Sequence, residues 1–182
     1  MQDPVRLGPF ANKGHLNVVI ETPAGSRTKF KWDEDAQLYR AGRVLPLGMA
    51  FPFDFGFVPG TKADDGDALD ALVIADAPLV VGCFVECRIL GAVKIETAEE
   101  PGDEQTVRND RLICVPVKSL RGAEWKKLDD IGTELADELT GFFKTYVARQ
   151  GRKVEVVGQV GPAAAKRLVE NAIRGRGRKK KR

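Results

Sequence analysis

Between Leu16 and Val117 apolar and polar positions alternate over short runs separated by turn residues, the pattern of half-buried strands. "LNVVIET" (16–22) predicts a strand and "PAGS" a turn behind it. "RTKFKWD" (27–33) alternates polar with aromatic residues and predicts a strand with one exposed face, and "QLYRAGRVLP" (37–46) a further strand or hairpin arm. The aromatic segment "FPFDFGFVPG" (51–60) reads as strand or irregular core. "DALVIADAP" (70–78) starts a strand directly behind an acidic turn, "GCFVECRILGAVKIE" (82–96) carries two apolar runs parted by Gly91, and "DRLICVPV" (110–117) is one more strand. Gly91 is expected to bend the chain between two strands. The period then changes. "GTELADELTGFFKTYVARQ" (132–150) sets Leu135, Leu139, Phe142, Phe143 and Tyr146 on one helical side, and "GPAAAKRLVENAIRG" (161–175) opens with Pro162 and closes at Gly175. The strand "RKVEVVGQV" (152–160) lies between these helices. No internal repeat is present. The order predicts an α+β fold: a small closed β-barrel with helices packed on its outside.

At 182 residues the chain suits one domain with a real core. No apolar run reaches the ~18 residues that span a bilayer, and "MQDPVRLGPFANKGH" lacks a signal peptide's basic-then-apolar order, so a cytoplasmic protein is expected. Cys83, Cys87 and Cys114 lie in apolar runs with no further zinc ligand beside them, which predicts buried reduced thiols. The single His15 sits in a polar stretch, as a surface residue would, which argues against histidine-based triads. The net charge of +3 is uneven: the tail 174–182 holds seven Lys or Arg, and removing them leaves the body at −4. Residues 1–173 are therefore read as the folded domain and 174–182 as a disordered basic tail, either solubilising or in non-specific contact with a polyanion.

The chemistry concentrates in "DDGDALDALVIAD" (64–76), five carboxylates in thirteen residues. Carboxylates that close destabilise one another unless a cation sits among them. Gly66 permits a tight turn on which Asp65, Asp67 and Asp70 can converge, and hard oxygen ligands of this kind suit Mg²⁺ or Mn²⁺. A calcium EF-hand does not fit, because Asp70 stands where its glycine belongs and "ALVIA" enters a strand. Asp64 and Asp76 read as surface charges. Mg²⁺ held by few carboxylates commonly handles phosphates. There is no GxxxxGK[ST] loop, and the phosphate-binding candidates are Lys29, Lys31 and Arg43.

With "VVIETPAGSRTKFK", "GRVLPLGMAFPFDFGFVPG", "DDGDALDALV" and "FFKTYV" in this order, the chain resembles the family I soluble inorganic pyrophosphatases over residues 17–161. The resemblance implies an OB-like five-stranded closed barrel with flanking helices, a homo-hexamer or other homo-oligomer, and Mg²⁺-dependent hydrolysis of pyrophosphate. It implies that Asp65 and Asp70 hold metal and that Asp67 assists deprotonation of a water bridging two metals. It further implies that Lys29, Arg43 and Tyr146 bind phosphates and that Glu21 borders the metal-water network.

The sequence also departs from that pattern. Lys31 stands in place of a metal-recruiting glutamate, Phe51 and Phe55 in place of tyrosines, Ala68 in place of a proline, and Val147 in place of a phosphate-binding lysine. In "RNDRLICVP" Arg111 takes the place of a lysine, where it could grip phosphate. Asn109 replaces an Asp whose metal-binding role passes to Asp110 if the loop shifts by one residue. For a further acid the sequence offers Glu96, Glu99, Glu100 and Asp103. The alternative to an active enzyme is a pyrophosphatase fold with lost or altered activity that binds another phosphorylated ligand or nucleic acid.

Overall fold

Strand β1 (Leu16–Thr22) is buried along its whole length because it has a strand on each side, with β4 (Asp54–Phe57) and β6 (Phe84–Ala98) both antiparallel to it. In the computed structural model, which describes residues 4, 7–63, 65–98 and 100–175, β4 pairs antiparallel with β5 (Asp70–Val73). Strand β5 lies parallel to β8 (Arg111–Pro116), and β8 returns antiparallel to β6. The order β1-β4-β5-β8-β6 thus closes through the β6–β1 pairing, the ring of five strands expected of an OB-like barrel. Strands β2 (Thr28–Asp33) and β3 (Leu38–Val44) form a separate hairpin. Short β7 (Thr106–Arg108) and β9 (Val154–Val160) both pair with the distal part of β6. Helix α1 (Thr133–Ala148) precedes β9, and α2 (Pro162–Gly175) follows it.

The continuous apolar runs of β5 and β8 follow from burial on both faces. Leu72, Ile74, Ile113 and Val115 join one core, which Leu139 and Phe143 of α1 complete. The intervening Ala71, Val73, Leu112 and Cys114 join a second core with Leu16, Val18 and Ile20 of β1 and with Ala165 and Val169 of α2. Period-two alternation therefore serves two cores at once.

Gly91 does not separate two strands: β6 runs continuously for 15 residues, with a register slip against β8 between Ile89 and Gly91. The bulge bends one strand so that it serves both sides of the ring, and a Cβ at Gly91 would stand 2.4 Å from the Val160 carbonyl oxygen. Strand β7, three residues long, is too short to leave a periodic signal. The three cysteines are free, with Cys87 and Cys114 buried. Asp76 is exposed yet structural, accepting hydrogen bonds from the Leu120 and Arg121 N–H groups and the Ser119 hydroxyl. Asp64, Glu99 and the tail beyond Gly175 lie outside the described residues.

Gly56 lies where the β1 backbone leaves no room for a side chain on β4. A Cβ there would stand 2.1 Å from the Val19 carbonyl oxygen, inside the ladder that closes the ring. Gly56→Ala is expected to destabilise the protein by roughly 3 kcal/mol or more, since backbone on both sides must move. Urea unfolding beside Gly141→Ala, whose site has no neighbour within 4 Å and no left-handed backbone, checks this; equal midpoints would show that the ladder yields.

Candidate active site

The acidic loop is shaped by its own backbone before any ligand arrives. Thr61 Oγ1 donates to the Val58 carbonyl (2.7 Å) and accepts the Leu69 N–H (3.0 Å), tying the two ends of the loop together. The Ala63 N–H donates to the Asp67 carbonyl (2.8 Å) and the Asp67 N–H to Asp65 Oδ1 (3.1 Å). Gly66, at φ +91°, supplies the left-handed step that this turn needs. Asp70 then opens β5, opposite Phe57 of β4.

Asp65, Asp67 and Asp70 line one cleft of about 820 Å³ together with Glu21, Lys29, Lys31, Arg111 and Tyr146. Lys29 and Lys31 stand two residues apart on β2 and so share its cleft side. Lys31 Nζ lies 2.8 Å from Asp67 Oδ2, an exposed pair. Arg111 opens β8 next to β5, and its Nη1 lies 2.8 Å from Asp70 Oδ2 with little solvent access. Phe55 lies beneath both positive ends, with Lys29 Nζ 5.3 Å and Arg111 Cζ 5.8 Å from its ring centre, within cation–π range. Tyr146 reaches the cleft from α1, stacked on Phe142.

Glu21, near the end of β1, is 6% exposed. Its Oε1 accepts the Trp32 N–H at 2.7 Å. Burial pushes its carboxyl up to about 7, the Trp32 bond opposes that rise, and the negative charge of Asp70 adds to it. Asp65 is raised as well, first by burial and then by the charges of Asp70 and Asp67, with its hydrogen bond from Asp67 pulling the other way. Carboxylates strained in this sense are relieved by a divalent cation. Among the described residues no three acidic, Cys or His side chains form a ready-made metal cage. The donor set fits an ion that keeps water and takes further oxygens from a substrate, as Mg²⁺ does.

Two expected residues are not brought to the cleft. Arg43 lies on β3, which pairs only with β2, in the stretch where the register slips; it is exposed and is not among the residues that line the cleft. Asp110 does not take over from Asn109. Arg108 Nη2 holds both Asp110 oxygens at 2.8 Å, and Asp110 Oδ1 also accepts the Ile95 N–H. Asn109 and Arg111 line the cleft while Asp110, between them, does not. Of the further acids, Glu100 lines the cleft; Glu96 accepts from the Thr106 hydroxyl and Asp103 caps the Glu100 N–H.

The cleft also contains Thr97, Gln150 and Arg152, which the sequence reading passed over. Arg152 lies in the link between α1 and β9, and its Nε donates to the Ala98 carbonyl. Its charge next to a helix terminus was the available signal. Val147 is 7% exposed and packs at the cleft wall, so this position adds no charge.

Comparison with known proteins gives this arrangement a family. The family model for inorganic pyrophosphatase matches residues 18–176. The inorganic pyrophosphatase of Synechocystis sp. is 35% identical over 172 residues, covering 94% of this chain and 98% of the relative. That of Ralstonia nicotianae is 37% identical over 162 residues, covering 87% and 89% respectively. Among solved structures, the inorganic pyrophosphatase of Thermus thermophilus superposes with a TM-score of 0.86 at 29% identity, covering 97% of this chain and all of that one. That of Coxiella burnetii gives 0.82 at 31% identity, covering 93% and 99%. With the family model spanning most of the chain and relatives above 30% identity matched over nearly their whole length, the chain belongs to the inorganic pyrophosphatase family.

Proposed function

We propose that this cleft hydrolyses inorganic pyrophosphate to two phosphates with Mg²⁺, Mn²⁺ serving as its substitute. The observation that carries the reading is the opposition, in one cleft, of Asp65, Asp67 and Asp70 to Lys29, Lys31 and Arg111. The first set is suited to a cation and a water, the second to the substrate's oxygens. A water oxygen bonds to one phosphorus, the bond from that phosphorus to the bridging oxygen breaks, and the electron pair leaves with the second phosphate. Asp65 and Asp70 are the residues that would hold the metal, which supplies Lewis acidity that makes water acidic near neutral pH. Asp67 takes the proton of the attacking water. Lys29, Arg111 and Tyr146 orient the phosphates and offset the charge that builds on the leaving group. Glu21 closes the polar network behind the acidic loop. Arg43, exposed on β3, is a further candidate for the phosphates.

A cytoplasmic homo-hexamer is proposed on the same family grounds; no helix among the described residues is long and apolar enough to cross a membrane. Salt-dependent contact with polyanions through residues 174–182 is a separate property of the tail's charge.

Two measurements test this reading. Phosphate release from pyrophosphate, titrated with Mg²⁺ and Mn²⁺, should be metal-dependent and should drop by ~100-fold or more in Asp67→Asn, the range for loss of a positioned base. Absence of release at every metal concentration overturns it.

Glu21 gives a pH test. The folded carboxyl holds its proton up to about 7 and the unfolded one releases it near 4.5, so the folded state binds more protons between those values. Metal-free stability should therefore fall as pH rises from 4.5 to 7 and level off above. Glu21→Gln keeps an oxygen for the Trp32 N–H and removes that fall, gaining up to about 3 kcal/mol at pH 8 with little gain at pH 4. Urea unfolding in chelator at the two pH values reads the difference, and an equal gain at both would show that Glu21 is not the titrating group.

A further inference from the structure

Protein cations already pair with part of the acidic loop of this chain. Asp67 has Lys31 Nζ at 2.8 Å and Asp70 has Arg111 Nη1 at 2.8 Å, so two of the three aspartates that line the cleft meet any incoming metal with a positive partner in place. The opposite wall adds little to attract one. Thr97 and Asn109 face the cleft as neutral side chains, and the carboxylate between Asn109 and Arg111 is turned away and held by Arg108. Among the described residues lining the cleft, five cationic and six acidic side chains nearly balance. A pocket that collects several divalent ions before its substrate needs a clear excess of carboxylates, because each ion is otherwise repelled by the cations already present.

We infer that Lys31 and Arg111 act as resident cations replacing part of the divalent metal, so that the substrate-free protein binds at most one divalent ion per chain, at Asp65 and Asp70. Lys31 sets the count, since it occupies Asp67 and repels an ion that would use that carboxylate. When pyrophosphate enters, Lys31 turns from Asp67 to the substrate's oxygens, so the aspartate is released for proton transfer only when there is something to hydrolyse. Arg111 stays on Asp70. The inference rests on the pyrophosphatase reading of the cleft, which phosphate release by the same wild-type preparation tests separately.

The experiment is a Mn²⁺ titration of the purified full-length protein followed by electron paramagnetic resonance of free Mn²⁺, with and without methylenediphosphonate as a non-hydrolysable pyrophosphate analogue. Wild type should bind no more than one Mn²⁺ per chain without the analogue. Lys31→Glu should bind two, and Lys31→Ala should bind its Mn²⁺ roughly tenfold more tightly than wild type. Lys31 is on an exposed strand face, so both variants are expected to fold, and Lys31→Ala alone decides the matter if the charge reversal does not. Two or more Mn²⁺ on the substrate-free wild type, or unchanged number and affinity in Lys31→Ala, overturns the inference even if phosphate release is normal. Absent phosphate release with a normal Mn²⁺ count overturns the pyrophosphatase reading and leaves the resident cations in place.

Discussion

The ring closes because one strand is long and bent enough to pair on both of its ends. Strand β6 hydrogen-bonds with β1 over Phe84–Cys87 and with β8 from Cys87 onward, and then carries β7 and β9. Its bulge at Gly91 turns the second half away from the first, and no side chain fits there. Two walls of the cleft are placed directly by this strand. It holds β1, and so Glu21, on one side and β8, and so Arg111, on the other, while Thr97 near its own end forms part of the wall. An untwisted pair of shorter strands would leave β1 and β8 on separate edges, and the acidic loop between β4 and β5 would face open solvent.

The parallel pairing of β5 with β8 adds the second constraint. It sets Asp70 and Arg111, the first residues of the two strands, at the same end of the sheet, so the ion pair is a consequence of register as much as of charge. Phe55 on adjacent β4 then forms an apolar floor under both Lys29 and Arg111. A low-dielectric floor strengthens the electrostatic effect of every charge above it, and a phenyl ring offers the cations a π face without a hydroxyl competing for their donors. Phe55 in place of tyrosine thus has a positive consequence for how the two cations are held.

The strands β1, β2, β5 and β8 were legible because each is bounded by turns, β2 through its alternation and β5 and β8 through their short apolar runs, and both helices have clear boundary residues. The acidic triplet was legible for the same kind of reason: Gly66 sits where a left-handed turn is needed, and an apolar strand begins immediately behind it. What the sequence did not reveal is which side of a strand faces the cleft when both sides are rich in polar residues. Asn109, Asp110 and Arg111 are equally polar on paper, and the choice among them is made by Arg108, which pairs with Asp110 from two residues away. Arg43 is similar: its strand is a hairpin's outer arm, and nothing local distinguishes an outer arm from an inner one. Thr97 and Arg152 come from segments far from the motif, and only the folding of β6 and β9 brings them near it.

The two ion pairs differ in the quality that matters for a site that must open. The side chains of Lys31 and Asp67 are 53% and 64% exposed, whereas those of Arg111 and Asp70 are 11% and 22%. An exposed pair contributes only about 0–1 kcal/mol because water and salt screen it, so a highly charged phosphate ligand can take over Lys31 at small cost. A pair largely removed from water is different: withdrawing one partner leaves the other charge poorly solvated, at a cost of several kcal/mol. Arg111 is further confined by the Phe55 and Phe143 rings and by its bonds to Asn109. The cleft therefore contains one cation that substrate can move and one that it must accommodate in place. That difference in solvation, set by where β2 and β8 lie relative to the core, gives the two residues different work even though each bears a single charge and each begins on an aspartate of the same loop.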